Sequence, residues 1–447
     1  MDIVTLSFIF IVTIGFIVLS TTRWHLHPFL ALIFAAYGVG TATGVPLLEL
    51  EETIREGFGN ILGYIGLVIL FGTLIGTILE KTNAAITMAN AIQRKLGKRH
   101  PALAMTLIGY IVSIPVFCDS AFVILSSLRR SLISKTGSSA ISVTIALSAG
   151  LYASHTFVPP TPGPIAAAAN LGISDNLGLV IAVGLVISLS AAFAGYGWAR
   201  FVGSRYKTDE DREFEDMDYE APENLPPATK AFAPIFVPIL LIAMGSVANF
   251  PSFPLGQDTL FAVFSFLGKP LNALIIGFFL AMRLMPALNK ETLNDWISDG
   301  LKSAALIIMI TGAGGAFGQV LKQTPIAELI GGSLSEMNVS LLLPFIIAAV
   351  LKTAQGSSTV AMVTTSAIIA PLLGDLGLDT DMGTVLAVMA VGAGAMTISH
   401  ANDSYFWVVT QFSGMDVSTA YKTHTMATLI QGLVALTVLL LLSLFLL

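Results

Sequence analysis

Two aspartates, two histidines and a set of small hydroxyl and amide residues interrupt a chain that is otherwise apolar. Asp119 and Asp403 stand within apolar surroundings. At membrane depth such an acid costs at least ~2.5 kcal/mol, so it is retained for a task such as carrying a proton. Each also reads as a helix cap at a break. Histidine as a residue type ionises near neutral pH, so His155 and His400 suit proton relay or donation to a substrate; the alternative for each is a packed ring bonded to backbone. Gly356, Ser357, Ser358 and Thr359, after Gln355, resemble an anion-cradling turn, with Gly allowing close backbone approach and hydroxyls flanking it. Ser120 adds a hydroxyl at an earlier interruption. Around Thr161 and Gly163, the residues Pro159, Pro160, Pro162 and Pro164 remove N–H donors and hold the backbone extended, which leaves carbonyls free to face a polyol or a cation. Asn402 can donate and accept, as hydroxyl recognition requires. Arg129 and Arg130 could attract anions, but they read first as cytoplasmic anchors.

The elements that must position these groups are membrane helices. Hydrophobic residues make up 55% of the 447, and charged residues only 11%, against about 25% charged in soluble domains. Apolar runs recur near 4–22, 28–45, 60–80, 140–175, 178–202, 232–249, 258–285, 300–322, 383–410 and 425–447, and runs of roughly 20 predict ten full spans. Stretches 101–134 and 339–373 are too long for one span and too broken for two, which predicts two re-entrant hairpins. Spans four and nine are themselves predicted as broken helices, at 155–164 and 399–404. The fold class is therefore an all-α polytopic membrane protein. Met1 to Ser20 has no basic leader and reads as a retained span. The single Cys118 excludes an internal disulfide and reads as a small buried hydrophobe. Of the net charge of −6, residues 203–231 alone contribute −5, so the acidity belongs to a linker and nothing points to a nucleic-acid partner.

Basic residues at 23, 81–99, 129–135, 200–207 and 283–290, set against an acidic loop at Glu49, Glu51, Glu52 and Glu56, predict that both termini lie outside. The halves also repeat. Gly72, Gly76, Leu79 and Thr82 recur as Gly314, Gly318, Leu321 and Thr324, each 242 residues later. The charge pattern gives the matched spans opposite directions, so inverted repeats are expected, with the substrate site at the paired breaks.

HPF at His27 to Phe29, VFCDSAF at Val116 to Phe122, HTFVPPTPGP from His155, AQGSSTVA from Ala354 and SHANDSYFW from Ser399 resemble, in order and along nearly the whole chain, the gluconate permease (GntP) family. The resemblance implies proton-coupled uptake of gluconate and related small acids, D-serine among them, across a bacterial inner membrane. It also implies a homodimer with two re-entrant hairpins and a sliding, elevator-type transport domain. By that analogy residues 101–202 and 339–447 move against a scaffold of 1–100 and 232–338, with 203–231 as the cytoplasmic linker. One departure stands out: the family usually reads PPHPGP, and Thr161 holds the His position here.

The expected function is thus a symporter importing gluconate or a related hydroxylated monocarboxylate with H⁺. Ser120, His155, Pro160, Thr161, Gly163, Gly356, Ser357, Ser358, Thr359, His400 and Asn402 would bind the substrate, and Asp119 or Asp403 would carry the proton. The alternatives are a sodium-coupled carboxylate transporter, a D-serine or small hydroxy- or amino-acid permease, and an ion exchanger using the acids alone. No HExxH or GxSxG motif suggests an enzyme, and no metal or cofactor is expected.

Overall fold

The computed structural model describes residues 3–24, 26–96, 100–208, 225–249, 258–324, 340–400 and 403–447, which contain helices and no strand. Among the described residues, nine α-helices precede the linker: α1 (Ile3–Thr22), α2 (Pro28–Ala42), α3 (Leu47–Lys81), α4 (Ala84–Leu96), α5 (Pro101–Val112), α6 (Cys118–Thr136), α7 (Ala140–Phe157), α8 (Pro162–Asn170) and α9 (Leu177–Gly203). Ten follow it: α10 (Ala228–Ala248), α11 (Thr259–Leu267), α12 (Pro270–Met282), α13 (Trp296–Gln323), α14 (Leu342–Gln355), α15 (Ser358–Ile369), α16 (Asp381–Met396), α17 (Ser404–Phe412), α18 (Val417–Ala420) and α19 (Met426–Leu446). Most of the acidic linker, 209–224, lies outside the described residues.

Every expected span coincides with helix, but their lengths differ. Among the described residues, five helical segments are long and apolar enough to cross a bilayer alone, and up to seven if two bent pairs each count as one. α2 and α16 have only 15 and 16 residues, at 1.5 Å per residue short of a hydrocarbon core ~30 Å thick. The span at 258–285 bends by 71° between α11 and α12, where Gly268 and Lys269 precede Pro270. The acidic stretch Glu49 to Glu56, expected to be a loop, is the first part of the 35-residue α3; its acids sit at the helix N-terminus, where the dipole favours negative charge.

Both halves repeat one order of elements. Hairpin α5–α6 corresponds to α14–α15, broken span α7–α8 to α16–α17, and α9 to α19. The starts are capped alike: Ser139 Oγ accepts the Ser142 N–H before α7, and Thr380 Oγ1 accepts the Gly383 N–H before α16. α3 and α13 pack along their length and run antiparallel. Thr53 meets Gln323, a Cβ on Gly57 would lie 2.7 Å from the Gly315 carbonyl oxygen, and Lys81 meets Asp299 at 3.1 Å.

The breaks cross-pack. α8 lies on α15 of the other half, and α17 lies on α6. Asn170 at the end of α8 donates to the Val363 carbonyl and the Ser366 hydroxyl. Arg129 on α6 donates to the carbonyl of Phe412 at the end of α17. The outer helices carry exposed apolar side chains such as Phe8, Ile11, Leu440, Leu444 and Phe445, the surface a lipid-facing helix presents.

Candidate functional site

α14 ends because Gly356 adopts φ 84°, a left-handed conformation that glycine takes without strain. Ser357 then caps α15 by accepting the Val360 N–H. Across from this turn, α16 stops at Met396 and α17 restarts with Asp403 as its cap, Oδ1 accepting the Tyr405 N–H. The backbone groups freed by each break are thereby met by side chains.

One buried ion pair ties the two breaks together. Lys352 in the last turn of α14 has no exposed surface. Its Nζ donates to the Gly356 carbonyl and to Asp403 Oδ2, at 2.5 Å each. The same Oδ2 accepts from the Ser399 hydroxyl. Behind Ser399 lies buried His424, whose Nε2 is 3.2 Å from Ser399 Oγ and whose Nδ1 is 3.0 Å from Ser148 Oγ. His424 sits in a π-helical turn, Tyr421–Thr425, that leads into α19; such bulges frequently mark functional positions. The Tyr152 ring lies 5.8 Å from the Lys352 ammonium. It stacks on His155 and tilts against Tyr405, with centroids 6.4 and 5.1 Å away.

The other expected residues divide into three groups. Asp119 lies in the first turn of α6, and its Oδ1 accepts from Ser404 at 3.4 Å, so both aspartates meet the start of α17. His155 joins the same cluster through Tyr152 and Phe117, and its buried Nδ1 has no hydrogen-bond partner. Ser358 is buried within bonding reach of Tyr152, and Ser357 and Thr359 are half-buried beside it. Pro160 and Thr161 lie apart from the ion pair. With Gly72, Thr73, Pro115, Phe117 and Pro162 they line a space of about 10 Å³, and the Thr161 hydroxyl donates to the Val158 carbonyl. The Pro159–Pro160 bond is cis. Gly163 faces α15, where an added Cβ would lie 2.8 Å from Met362 Sδ. His400 Nε2 is 2.9 Å from the Thr353 carbonyl oxygen, holding the second break against α14. Asn402 and the side chain of Ser120 lie outside the described residues.

Sequence reasoning passed over Lys352, Tyr152 and His424, and gave Ser399 no role beyond opening the second break. The signal for Lys352 was the one used for the aspartates, a lone charge in an apolar run. A lysine near a helix end is ordinarily read as snorkelling to the interface, and only its packed position excludes that. Arg129 also departs from expectation. It is fully buried and donates to Thr144 and to Phe412, so it ties α17 to α6 rather than anchoring an exposed loop. Among the described residues no cluster of three metal-ligating side chains occurs.

A helical membrane protein whose helix breaks gather around buried polar groups belongs to the transporter class. The chain belongs to the GntP family of permeases, whose family model matches residues 4–445. It is 33% identical over 443 residues to a gluconate permease of Pseudomonas aeruginosa, covering 98% of this chain and 97% of that one. It is 32% identical over 432 residues to the D-serine transporter DsdX of Escherichia coli strain K12, covering 95% of each. It is 32% identical over 426 residues to the high-affinity gluconate transporter of the same strain, covering 93% of this chain and 94% of that one. The fold is similar to the crystal structure of the YdaH transporter of Alcanivorax borkumensis, which is described as having an unusual topology. That match has a TM-score of 0.64 at 15% identity over 93% of this chain and 98% of that one. The protein is thus a multi-pass membrane permease.

Proposed function

We propose that this permease is a proton-coupled symporter that imports gluconate or a related small hydroxylated monocarboxylate across a bacterial inner membrane. The observation that carries the reading is the charged centre where the two breaks meet: Asp403 and Lys352 on one side of α17, Asp119 at its first residue. Gluconate permeases among the relatives supply the substrate class. The hairpin turns would hold the carboxylate, and Asp119 or Asp403 would carry the proton.

Alternating access of elevator type belongs to the same proposal, with 101–202 and 339–447 moving against 1–100 and 232–338. The antiparallel α3 and α13, matched at a 242-residue offset, support inverted repeats. An asymmetry supports the sliding: every residue of α8 is buried, whereas its counterpart α17 exposes Ser404, Trp407 and Gln411 along one face. Each scaffold helix with its exposed apolar flank would meet lipid or a second copy in a homodimer, and both termini would lie outside.

Proteoliposomes with an inward proton gradient test the reading: gluconate should accumulate and the accumulation should collapse with a protonophore. Accumulation that survives the protonophore and requires Na⁺ in place of choline would assign the sodium-coupled alternative. A second substrate, D-serine, is favoured by DsdX, which is as similar to this chain as the high-affinity gluconate transporter is. Competition between labelled gluconate and D-serine decides between them. Asp403→Asn should abolish gradient-driven uptake while retaining exchange, and unaltered accumulation would remove Asp403 from the coupling.

A further inference from the structure

Lys352 is a fully buried cation in an ion pair with Asp403, and it spans the two elements that break. Its ammonium spends one proton on the Gly356 carbonyl and one on Asp403, leaving a third donor. The turn beside it presents Ser357 and Thr359 half-buried, and the unpartnered Nδ1 of buried His155 lies one ring away behind Tyr152. The groups facing the pair are Asp119 and Cys118 from α6, Tyr152 and His155 from α7, Tyr405 from α17 and His424 from the turn before α19. None of these is a lysine or arginine.

We propose that Lys352 is the substrate-carboxylate ligand and that Asp403 occupies it as an internal substitute, so that a substrate anion takes the ammonium only when Asp403 is protonated. The inference rests on the reading of a proton-coupled carboxylate symporter and supplies its coupling rule. Charge balance gives the reason. The closed pair Lys352⁺–Asp403⁻ is neutral, and adding a carboxylate alone would leave a net negative charge in a buried site, beside Asp119. One proton from the outer solution, bound at the Asp403 carboxyl, restores neutrality: Lys352⁺, neutral Asp403, substrate carboxylate⁻. On the inner side the substrate leaves, Asp403 releases that proton and re-forms the pair. One proton therefore accompanies one carboxylate. The oxygen that Lys352 vacates keeps the Ser399 hydroxyl, and the cap to Tyr405 holds Asp403 in place throughout.

The test measures gluconate affinity of the full-length protein in detergent between pH 5.5 and 8.5, with gluconamide as the uncharged control. In wild type, affinity should fall toward about tenfold per pH unit once Asp403 is ionised in the empty site, and gluconamide should bind weakly. Asp403→Asn leaves the lysine free, so gluconate should bind with no such slope. Lys352→Met should lose about a hundredfold in gluconate affinity with little change for gluconamide. Since a lone buried acid can unfold the chain, Lys352→Met combined with Asp403→Asn keeps the site neutral and should give a folded protein, by its unliganded melting temperature, that still fails to bind gluconate. Wild-type affinity and pH slope in that double variant would overturn the lysine assignment while leaving symport intact. A pH slope retained in Asp403→Asn would overturn the exchange rule. Absence of gluconate and other C3 to C6 acid binding in wild type would instead remove the substrate reading, and this inference with it.

Discussion

At the scale of single residues, charge burial separates two kinds of cation in this chain. Arg129 spends its guanidinium on Thr144 Oγ1 at 2.7 Å and on the Phe412 carbonyl at 2.9 Å, the C-terminal end of α17, where a cation is favoured by the helix dipole. Its role is to hold α17 on α6. Arg129→Gln should therefore lower stability by about 2 kcal/mol, the worth of charged hydrogen bonds. The melting temperature should fall while the substrate-induced rise in it stays as in wild type. Thr161 offers a contrast. It holds the N-cap position of α8, equivalent to Asp403 before α17 and again 242 residues apart, but its hydroxyl makes no bond to the helix, so one break carries an ion pair and the other a neutral hydroxyl. Thr161→Val keeps the shape and loses the 2.6 Å bond to the Val158 carbonyl. It should cost about 1 kcal/mol, measured by thermal unfolding, without changing the proton dependence of uptake.

At the scale of elements, small residues set how closely helices approach one another. A Cβ on Gly150 would lie 2.1 Å from the Thr106 carbonyl oxygen, between α7 and α5 of one half. A Cβ on Gly76 would lie 2.5 Å from the Pro115 carbonyl oxygen, between α3 and the turn of the first hairpin. Gly150→Ala overpacks a contact internal to the proposed moving part and should destabilise by about 1–3 kcal/mol, read as a lower melting temperature. Gly76→Ala clashes at the proposed sliding boundary. Uptake should drop several-fold with a smaller loss of melting temperature than Gly150→Ala, because the arrangement can shift to relieve the contact. Equal thermal losses in the two variants would mean that the boundary is no looser than the interior. The hairpin turns were legible because glycine, proline and hydroxyl residues have no other reason to interrupt an apolar run. The length of α3 was not, because acidic residues at a helix N-terminus and acidic residues in a loop look alike until the backbone is seen.

At the scale of the whole molecule, the two halves share a helix order but not a packing environment. α8 is buried along its length, while Ser404, Trp407 and Gln411 of α17 are exposed. α3 and α13 pack against α8 and α15, with Gly72 approaching Pro160 and Gly314 approaching Val363. If the halves exchange these roles during transport, single cysteines in a Cys118→Ala background report it. Ser404→Cys and Gln411→Cys should react readily with a maleimide, and Ile165→Cys and Ala169→Cys should be protected. Conditions that drive turnover should narrow that difference. Reactivity fixed at both faces during active uptake would argue that α8 and α17 do not exchange environments.

What the amino-acid order determined on its own was largely one-dimensional: the apolar spans, the four interruptions, the 242-residue repeat and the acids stranded among apolar neighbours. Each depends on local composition, which hydropathy and backbone chemistry read directly. The tertiary structure decided which of the stranded groups meet. Lys352 and Asp403 are separated by 51 residues along the chain, and Ser148 and His424 by 276, so no local pattern could pair them. It also decided that Arg129 ends on the Phe412 carbonyl and His400 on Thr353. A charge in an apolar run announces that a partner exists, but the partner's identity follows from how helices from the two halves cross, and that is set by packing among residues far apart in sequence.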